Sequence, residues 1–238
     1  MPYDFSFLLY LGIALSSLVL LAMLTFSFSI KVINFPWQKP LILSIFTTIC
    51  LLGVAVGVFP SKCLRMIHFR NQDKISKKTE QTSTGMKNKL VGHHPTCKNF
   101  SAHILRFKNK TYCSGCTGLV TGATISLIGS FLYFLSDFHT IVTSIFVFWL
   151  GFIFVVCGLL QHRIFLWNKG SIHFLLNVIF VLGAFLLIVG VNEITHNFLL
   201  ETYLLISIIY WIVTRIILSQ SEHKKICATC GLKLCHYH

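Results

Sequence analysis

Charged residues are scarce in this sequence, and acidic residues are the scarcest. Only 11% of the 238 residues are charged, against about 25% in a typical soluble domain, and seven are Asp or Glu. Hydrophobic residues make up 55% of the chain, so a soluble fold would have too few polar side chains to cover its surface. The composition excludes an ordinary soluble protein and predicts an integral membrane protein.

Motifs of several enzyme and transporter classes are also missing. The sequence has no Gly-rich phosphate loop, no nucleophile elbow and no HExxH metalloprotease motif. It has no internal repeat of the kind that builds the inverted halves of many transporters. We therefore assign no catalytic residue from the sequence.

Six long apolar runs are present instead. A helix needs about 20 apolar residues to cross the hydrocarbon core of a bilayer. The runs predict six transmembrane helices at residues 5–30, 40–59, 117–135, 141–160, 173–192 and 197–218. Because no Lys or Arg precedes the first run, we expect a retained membrane helix there and not a cleaved signal peptide.

Small residues recur at a spacing typical of packed membrane helices in two of these runs. One pattern is Gly53-x3-Gly57, and the other is Gly118-x3-Gly122 followed by Ser126. Small side chains let neighbouring helix backbones approach closely. Both patterns therefore predict helix–helix contacts.

Basic residues lie almost entirely on one side of the predicted six-helix topology. Of the 20 Lys and Arg residues, 18 fall in segment 60–116, between the fourth and fifth runs, or at and beyond the end of the sixth run. Lys31 and Lys39 lie on the opposite side. Since positive residues favour the cytoplasmic face, we expect a cell-membrane protein with both termini in the cytoplasm.

The formal net charge of +13 also raises the question of a nucleic-acid partner. The charges lie between the apolar runs, and residues 61–89 alone contain eight Lys or Arg and two acidic residues. Such a segment has too few apolar residues for a packed core and predicts a flexible linker. Each basic residue near the surface favours anionic lipid headgroups by about 1 kcal/mol, so lipid is the expected partner and nucleic acid is not.

The strongest chemical signal is a cysteine and histidine pattern before the third run. Its spacing, H-x2-C-x15-C-x2-C, matches the paired-ligand spacing of zinc sites with one Cys replaced by His. Zinc accepts four such ligands in tetrahedral geometry. The predicted ligands are His94, Cys97, Cys113 and Cys116, with His93 or His103 as alternatives to His94.

Local sequence favours bringing these two ligand pairs together. Lys108-Asn109-Lys110 separates two short apolar stretches, and Asn tolerates the left-handed backbone that tight turns need. A hairpin around this turn would place the pairs side by side. Cys116 would then lie in the first turn of the third helix, where the partial positive charge of the helix stabilises a thiolate.

The C-terminal segment contains a second set of possible ligands. The spacing C-x2-C-x4-C-x2-H predicts a second zinc site, or else a single site shared with Cys113 and Cys116. A cytoplasmic location disfavours disulfides and favours metal thiolates. Cys50 and Cys157 lie inside apolar runs and are expected to be packing residues. The tail ligands are Cys227, Cys230, Cys235 and His238.

The same cysteine region resembles a family of membrane proteins, domain of unknown function 2085. Cys97 and Phe100 precede the pattern C-x2-C-T-G-x3-G at residues 113–122, and the resemblance covers residues 93–135. It implies a small helical membrane protein and carries no established activity. The chain departs from the family at two positions, with Lys98 in place of His and Gly115 in place of Arg.

These patterns together predict an all-α polytopic membrane protein with a small cytoplasmic zinc module and a Cys/His-rich tail. The expected divisions are helices 1 and 2 at 1–59, the linker at 60–92, the zinc module at 93–116, helices 3 to 6 at 117–218 and the tail at 219–238. The expected function is a scaffold or accessory subunit of a membrane complex. The alternatives are a membrane thiol or iron-sulfur redox protein and a small-solute transporter.

Overall fold

Six α-helices dominate the computed structural model, which describes residues 5–27, 36–58, 90–91, 103–107, 110–135, 141–164 and 169–230. Each helix contains a span of 19 to 26 residues that is long and apolar enough to cross a membrane. The prediction of six membrane helices is confirmed, and the chain is a multi-pass membrane protein. The helices are α1 (Phe5–Ser27), α2 (Gln38–Val58), α3 (Ser114–Leu135), α4 (Ile141–Ile164), α5 (Gly170–Thr195) and α6 (Phe198–Cys230).

Large apolar side chains cover the outside of the bundle. Leu199 is 78% exposed, Phe146 66% and Ile128 58%. Monomeric soluble proteins rarely expose large contiguous apolar patches, whereas lipid tails solvate such a surface readily. The bilayer is therefore the environment that this bundle requires.

Helices α3 and α5 lie side by side and run parallel. Near their starts, Gly118 lies against Phe174. Near their ends, the Tyr133 hydroxyl is 2.7 Å from Oδ1 of Asn192. Because contacts advance in the same direction along both helices, α3 and α5 cross the membrane in the same sense.

Helices α1 and α6 run antiparallel. The Tyr210 hydroxyl donates a hydrogen bond to the Tyr10 carbonyl, and the Tyr203 hydroxyl donates one to the Ser17 carbonyl. Since α6 also turns back on α5 through a short connection, α1, α3 and α5 share one direction. Their starts and the end of α6 lie on one side of the bundle, which also carries Cys113 and Cys116 and is called the cysteine side below.

The boundaries of the helices differ from the boundaries of the apolar runs. α6 was expected to stop at Leu218 but continues to Cys230, although its membrane span ends at Glu222. Residues 219–230 contain no Gly or Pro, and Gly231 follows, so the first residue that favours a helix end comes only after Cys230. The expected tail at 219–238 therefore begins as a continuation of α6.

A small three-stranded sheet precedes α3. Its strands are β1 (Leu90–Val91), β2 (Ile104–Phe107) and β3 (Lys110–Cys113), in the order β1-β3-β2. β2 and β3 are antiparallel, which confirms the predicted hairpin. β1 pairs parallel to β3 with Val91 opposite Tyr112, and this strand was not predicted. The membrane bundle is thus all-α, as predicted, and a short sheet precedes α3.

The two small-residue patterns differ in their packing. A β-carbon at Gly118 would lie 2.5 Å from the Phe174 carbonyl oxygen, and one at Gly122 would lie 2.9 Å from the Val178 carbonyl oxygen. Both distances are too short for any side chain, so α3 and α5 are in backbone contact as predicted. In the other pattern Gly57 packs against α3, whereas a β-carbon at Gly53 would have nothing within 4 Å.

Candidate metal centre

The junction between β3 and α3 carries the two predicted ligands that the structure describes. Cys113 is the last residue of β3, and Cys116 is the third residue of α3. The Thr117 hydroxyl donates a hydrogen bond of 2.6 Å to the Cys113 carbonyl, which fixes the first turn of the helix. Cys116 therefore lies in the positively polarised first turn of α3, as expected, and Cys113 immediately precedes this helix.

The Cys113 side chain is buried, and that of Cys116 is half-buried. Cys113 is 8% exposed. A β-carbon at Gly115 would lie 3.9 Å from both the Cys113 sulfur and the Asn177 side-chain nitrogen. These are ordinary van der Waals distances, so the Cys113 sulfur and the Asn177 side chain of α5 are both neighbours of Gly115 at the start of α3.

His103 links the hairpin to both α3 and α5. Its carbonyl accepts a hydrogen bond of 3.0 Å from the Ser114 hydroxyl. Its ring stacks on the ring of His173, with centroids 4.9 Å apart and planes 24° apart. His173 was absent from the predicted site, because its distance in the sequence from the cysteines gave no ligand spacing.

The other predicted ligands lie in residues 92–102, and the residues on both sides of this segment are held beside the start of α3. Val91 lies opposite Tyr112, one residue before Cys113, and β1 points towards the start of α3 because it is parallel to β3. Twelve residues after Val91, the His103 carbonyl accepts a hydrogen bond from the Ser114 hydroxyl. Residues 92–102 are therefore bounded at both ends by residues beside the two placed cysteines.

His93, His94 and Cys97 belong to that bounded segment and lie outside the described residues. His94 is three residues beyond Val91, and three residues of extended chain span about 10 Å. Within the described part of the chain, no group of three or more His, Cys, Asp or Glu side chains is arranged to hold a metal ion. The structure thus places two of the four predicted ligands, Cys113 and Cys116, and brings both next to the ends of the segment that contains the others.

Polar side chains of α5 and α6 lie beneath this junction. Arg215, 7% exposed, donates a hydrogen bond from Nη2 to Oδ1 of Asn177, and the Asn177 amide donates to the His173 carbonyl at 2.6 Å. Glu222, two turns further along α6, supplies a negative charge to Arg215. Only the presence of these polar residues in apolar runs was visible in the sequence. Their contacts depend on how the helices are rotated.

The cysteines of the C-terminal segment lie further along α6. Cys227 and Cys230 are in its last turn, and their side chains, with all of Cys235 and His238, are outside the described residues. Twelve residues separate Cys227 from Arg215, a rise of about 18 Å along a helix. Since Arg215 contacts α5 at Asn177, which borders Gly115, α6 carries Cys227 well away from the junction.

No family model matches this sequence, and no curated protein or solved structure proved similar to it. The function is therefore inferred from the residues of the chain.

Proposed function

We propose that His94, Cys97, Cys113 and Cys116 bind one zinc ion, and that this ion ties the segment between α2 and α3 to the helix bundle. The chain would then act as a membrane scaffold or accessory subunit that presents this segment to a partner subunit. The observation that carries the proposal is the double anchoring of residues 92–102. Val91 and His103, the residues on either side of this segment, both lie beside the start of α3.

The chemistry of the junction supports zinc as the ligand. Zinc prefers thiolate and imidazole ligands in a tetrahedron, which two close pairs of ligands supply. A thiol in the first turn of a helix loses its proton more readily, and thiolates are the form that binds metal. The resemblance to domain of unknown function 2085 concerns the same cysteines and adds no activity.

The C-terminal ligands fit a second, separate zinc site better than a shared one. A single site of four cysteines would require Cys227 and Cys230 to meet Cys113 and Cys116. The rise of about 18 Å between Arg215 and Cys227 argues against this meeting, because α6 remains helical throughout. We therefore propose that Cys227, Cys230, Cys235 and His238 bind their own ion.

We further propose that the cysteine side faces the cytoplasm of a cell. The alternating helix directions support grouping both termini and segment 60–116 on one side, and 18 of the 20 basic residues belong to that group. Tags at Met1 and His238 are then expected to resist protease added to sealed cells and to be digested after permeabilisation. A tag after Asn34, between α1 and α2, is the matched control and should be digested in sealed cells. Digestion of either terminal tag from outside would contradict this orientation.

Metal analysis of the purified full chain tests the zinc proposal directly. We expect bound zinc and no visible absorbance after purification in detergent without added metal. Iron with visible absorbance would instead indicate a redox centre built from the cysteines. A metal-free protein with a reactive thiol at Cys113 or Cys116 would indicate dithiol chemistry, and either result would overturn the proposal.

A further inference from the structure

Four helices bring polar side chains together at the end of the bundle opposite the cysteine side. Gln38 begins α2, Tyr133 lies near the end of α3, Asn192 and Glu193 near the end of α5, and Glu201 in the first turn of α6. Tyr133 is 17 residues from Cys116 along α3, which is about 25 Å. This group, called the carboxyl cluster below, is independent of the proposed zinc module.

The carboxyl cluster is inside the protein. Glu201 is 1% exposed, Gln38 3%, Tyr133 5% and Asn192 6%, and Glu193 is half-buried. Polar residues near helix ends in a membrane protein usually reach the interface, and the sequence favoured that arrangement here. The structure turns these side chains inward, where an ionised carboxylate requires a compensating partner.

Three short contacts join the cluster. The Tyr133 hydroxyl oxygen is 2.7 Å from Oδ1 of Asn192 and 2.6 Å from Oε1 of Glu193. The side-chain nitrogen of Asn192 is 2.6 Å from Oε1 of Glu201. All three distances are those of hydrogen bonds, so each contact needs a hydrogen between its two atoms.

The cluster is short of one hydrogen when both carboxyl groups are ionised. A phenol supplies one hydrogen, the amide of Asn192 supplies one to these contacts, and an ionised carboxylate supplies none. If the amide oxygen and nitrogen of Asn192 are exchanged, the contact that lacks a hydrogen is the one to Glu201 and no longer the one to Glu193, so the number of missing hydrogens is unchanged. Three contacts share two hydrogens, and one positive charge is missing.

Buried polar atoms without a hydrogen bond lie at the same place. Oε2 of Glu201 and both side-chain polar atoms of Gln38 are buried and make no hydrogen bond of good geometry in the described part of the chain. The Gln38 amide lies next to the Glu201 carboxyl group. The starts of α2 and α6 are also held together by the rings of Trp37 and Phe198, whose centroids are 5.4 Å apart. Since buried unsatisfied polar atoms are costly, these oxygens point to a ligand.

The charge count around the cluster gives the same deficit. Lys39 from α2 places its ammonium 4.1 Å from the centroid of the Tyr133 ring. His196, half-buried, follows α5, and the described residues of α1 and α4 bring no titratable side chain to this end. Apart from His196, the described residues at this end supply one ammonium group and two carboxyl groups, which leaves one negative charge unbalanced among them.

We propose that the carboxyl cluster binds one small monovalent cation, either a proton or a sodium ion, between the side chains of Glu193 and Glu201. A proton would complete the chain of hydrogen bonds through Tyr133 and Asn192. A sodium ion would be held by carboxylate and carboxamide oxygens, which are the donors that hard cations prefer. In both cases the cation neutralises a buried carboxylate of the membrane bundle.

The unchanged full chain in detergent provides the first test. Thermal unfolding is followed at constant ionic strength while sodium chloride replaces choline chloride, and infrared spectra report neutral carboxyl groups at pH 7. A melting temperature that rises with sodium supports a sodium ion, because a ligand of the folded state stabilises it. A neutral carboxyl band without a sodium effect supports a proton. Neither a sodium effect nor a neutral carboxyl band would overturn the proposal.

Substitutions then locate the cation. Glu193→Gln and Glu201→Gln each supply an amide hydrogen in place of the missing charge, so the sodium effect or the neutral carboxyl band is expected to disappear. Glu222→Gln is the matched control, since it makes the same change at the other end of α6 and should preserve the signal. A signal that persists in folded Glu193→Gln and Glu201→Gln would overturn the proposal. If one variant does not fold, the other variant and the unchanged chain still decide.

Discussion

Replacing Cys113 or Cys116 by serine is expected to release the proposed zinc ion and expose the segment before α3 to protease. Serine hydroxyls are poor zinc ligands, and structural zinc sites have apparent binding free energies of about 10 to 16 kcal/mol near neutral pH. Such an energy is large enough to order a short peptide on its own. Its loss should therefore convert residues 90–116 from a protected segment to an accessible one.

Metal content and limited trypsin digestion measure this outcome. Zinc should fall in both variants, and new cleavage is expected at the basic residues of the segment. Membrane insertion should be unchanged, because it depends on the apolar spans and not on the metal. The trypsin sites to follow are Lys98, Arg106, Lys108 and Lys110.

Two other cysteines separate the possible explanations. Cys157 is half-buried inside α4, so Cys157→Ser is the matched control and should keep zinc and protease resistance. If the two sites are separate, Cys227→Ser should lower the zinc content of the C-terminal site alone. Full zinc occupancy with an undisturbed segment in both Cys113→Ser and Cys116→Ser would contradict the proposed module.

Much of the helical architecture was predictable because the bilayer imposes a length on each apolar run. The same criterion misplaced helix ends, since it detects where apolar residues stop and not where the backbone leaves the helix. Residues 219–230 are mostly polar yet remain helical, and the predicted boundary at Leu218 marks only the approximate end of the apolar run. Helix ends depend on capping residues more than on hydrophobicity, and in the sequence the first glycine after the sixth apolar run is Gly231.

Local pairing was also more predictable than distant pairing. The hairpin of β2 and β3 follows from the turn residues between them, whereas β1 is two residues long and its partner is about twenty residues away. The carboxyl cluster illustrates the same limit. Glu193 and Glu201 were visible as polar residues in the sequence, but their connection through Tyr133 depends on the rotation and packing of three helices.

Gly118→Ala is expected to destabilise the bundle, whereas Gly53→Ala is expected to be neutral or stabilising. A β-carbon at Gly118 would lie 2.5 Å from the Phe174 carbonyl oxygen and 2.8 Å from Cβ of Asn177, so α3 and α5 must separate. Overpacking of this kind costs about 1 to 3 kcal/mol. At Gly53 nothing lies within 4 Å, and alanine gains about 0.5 to 1 kcal/mol over glycine inside a helix.

The opposite signs make the pair of substitutions a sensitive test of backbone contact between α3 and α5. Thermal unfolding of both variants in the same detergent gives the comparison, with Gly12→Ala in α1 as a second control at a site that also has nothing within 4 Å. Because Gly118 lies one turn after Gly115 and Cys113, separation of α3 from α5 should also weaken zinc retention, which neither control affects. If Gly118→Ala unfolds at the same temperature as Gly53→Ala and keeps its zinc, α3 and α5 are not in backbone contact, and the cysteine junction does not depend on their packing.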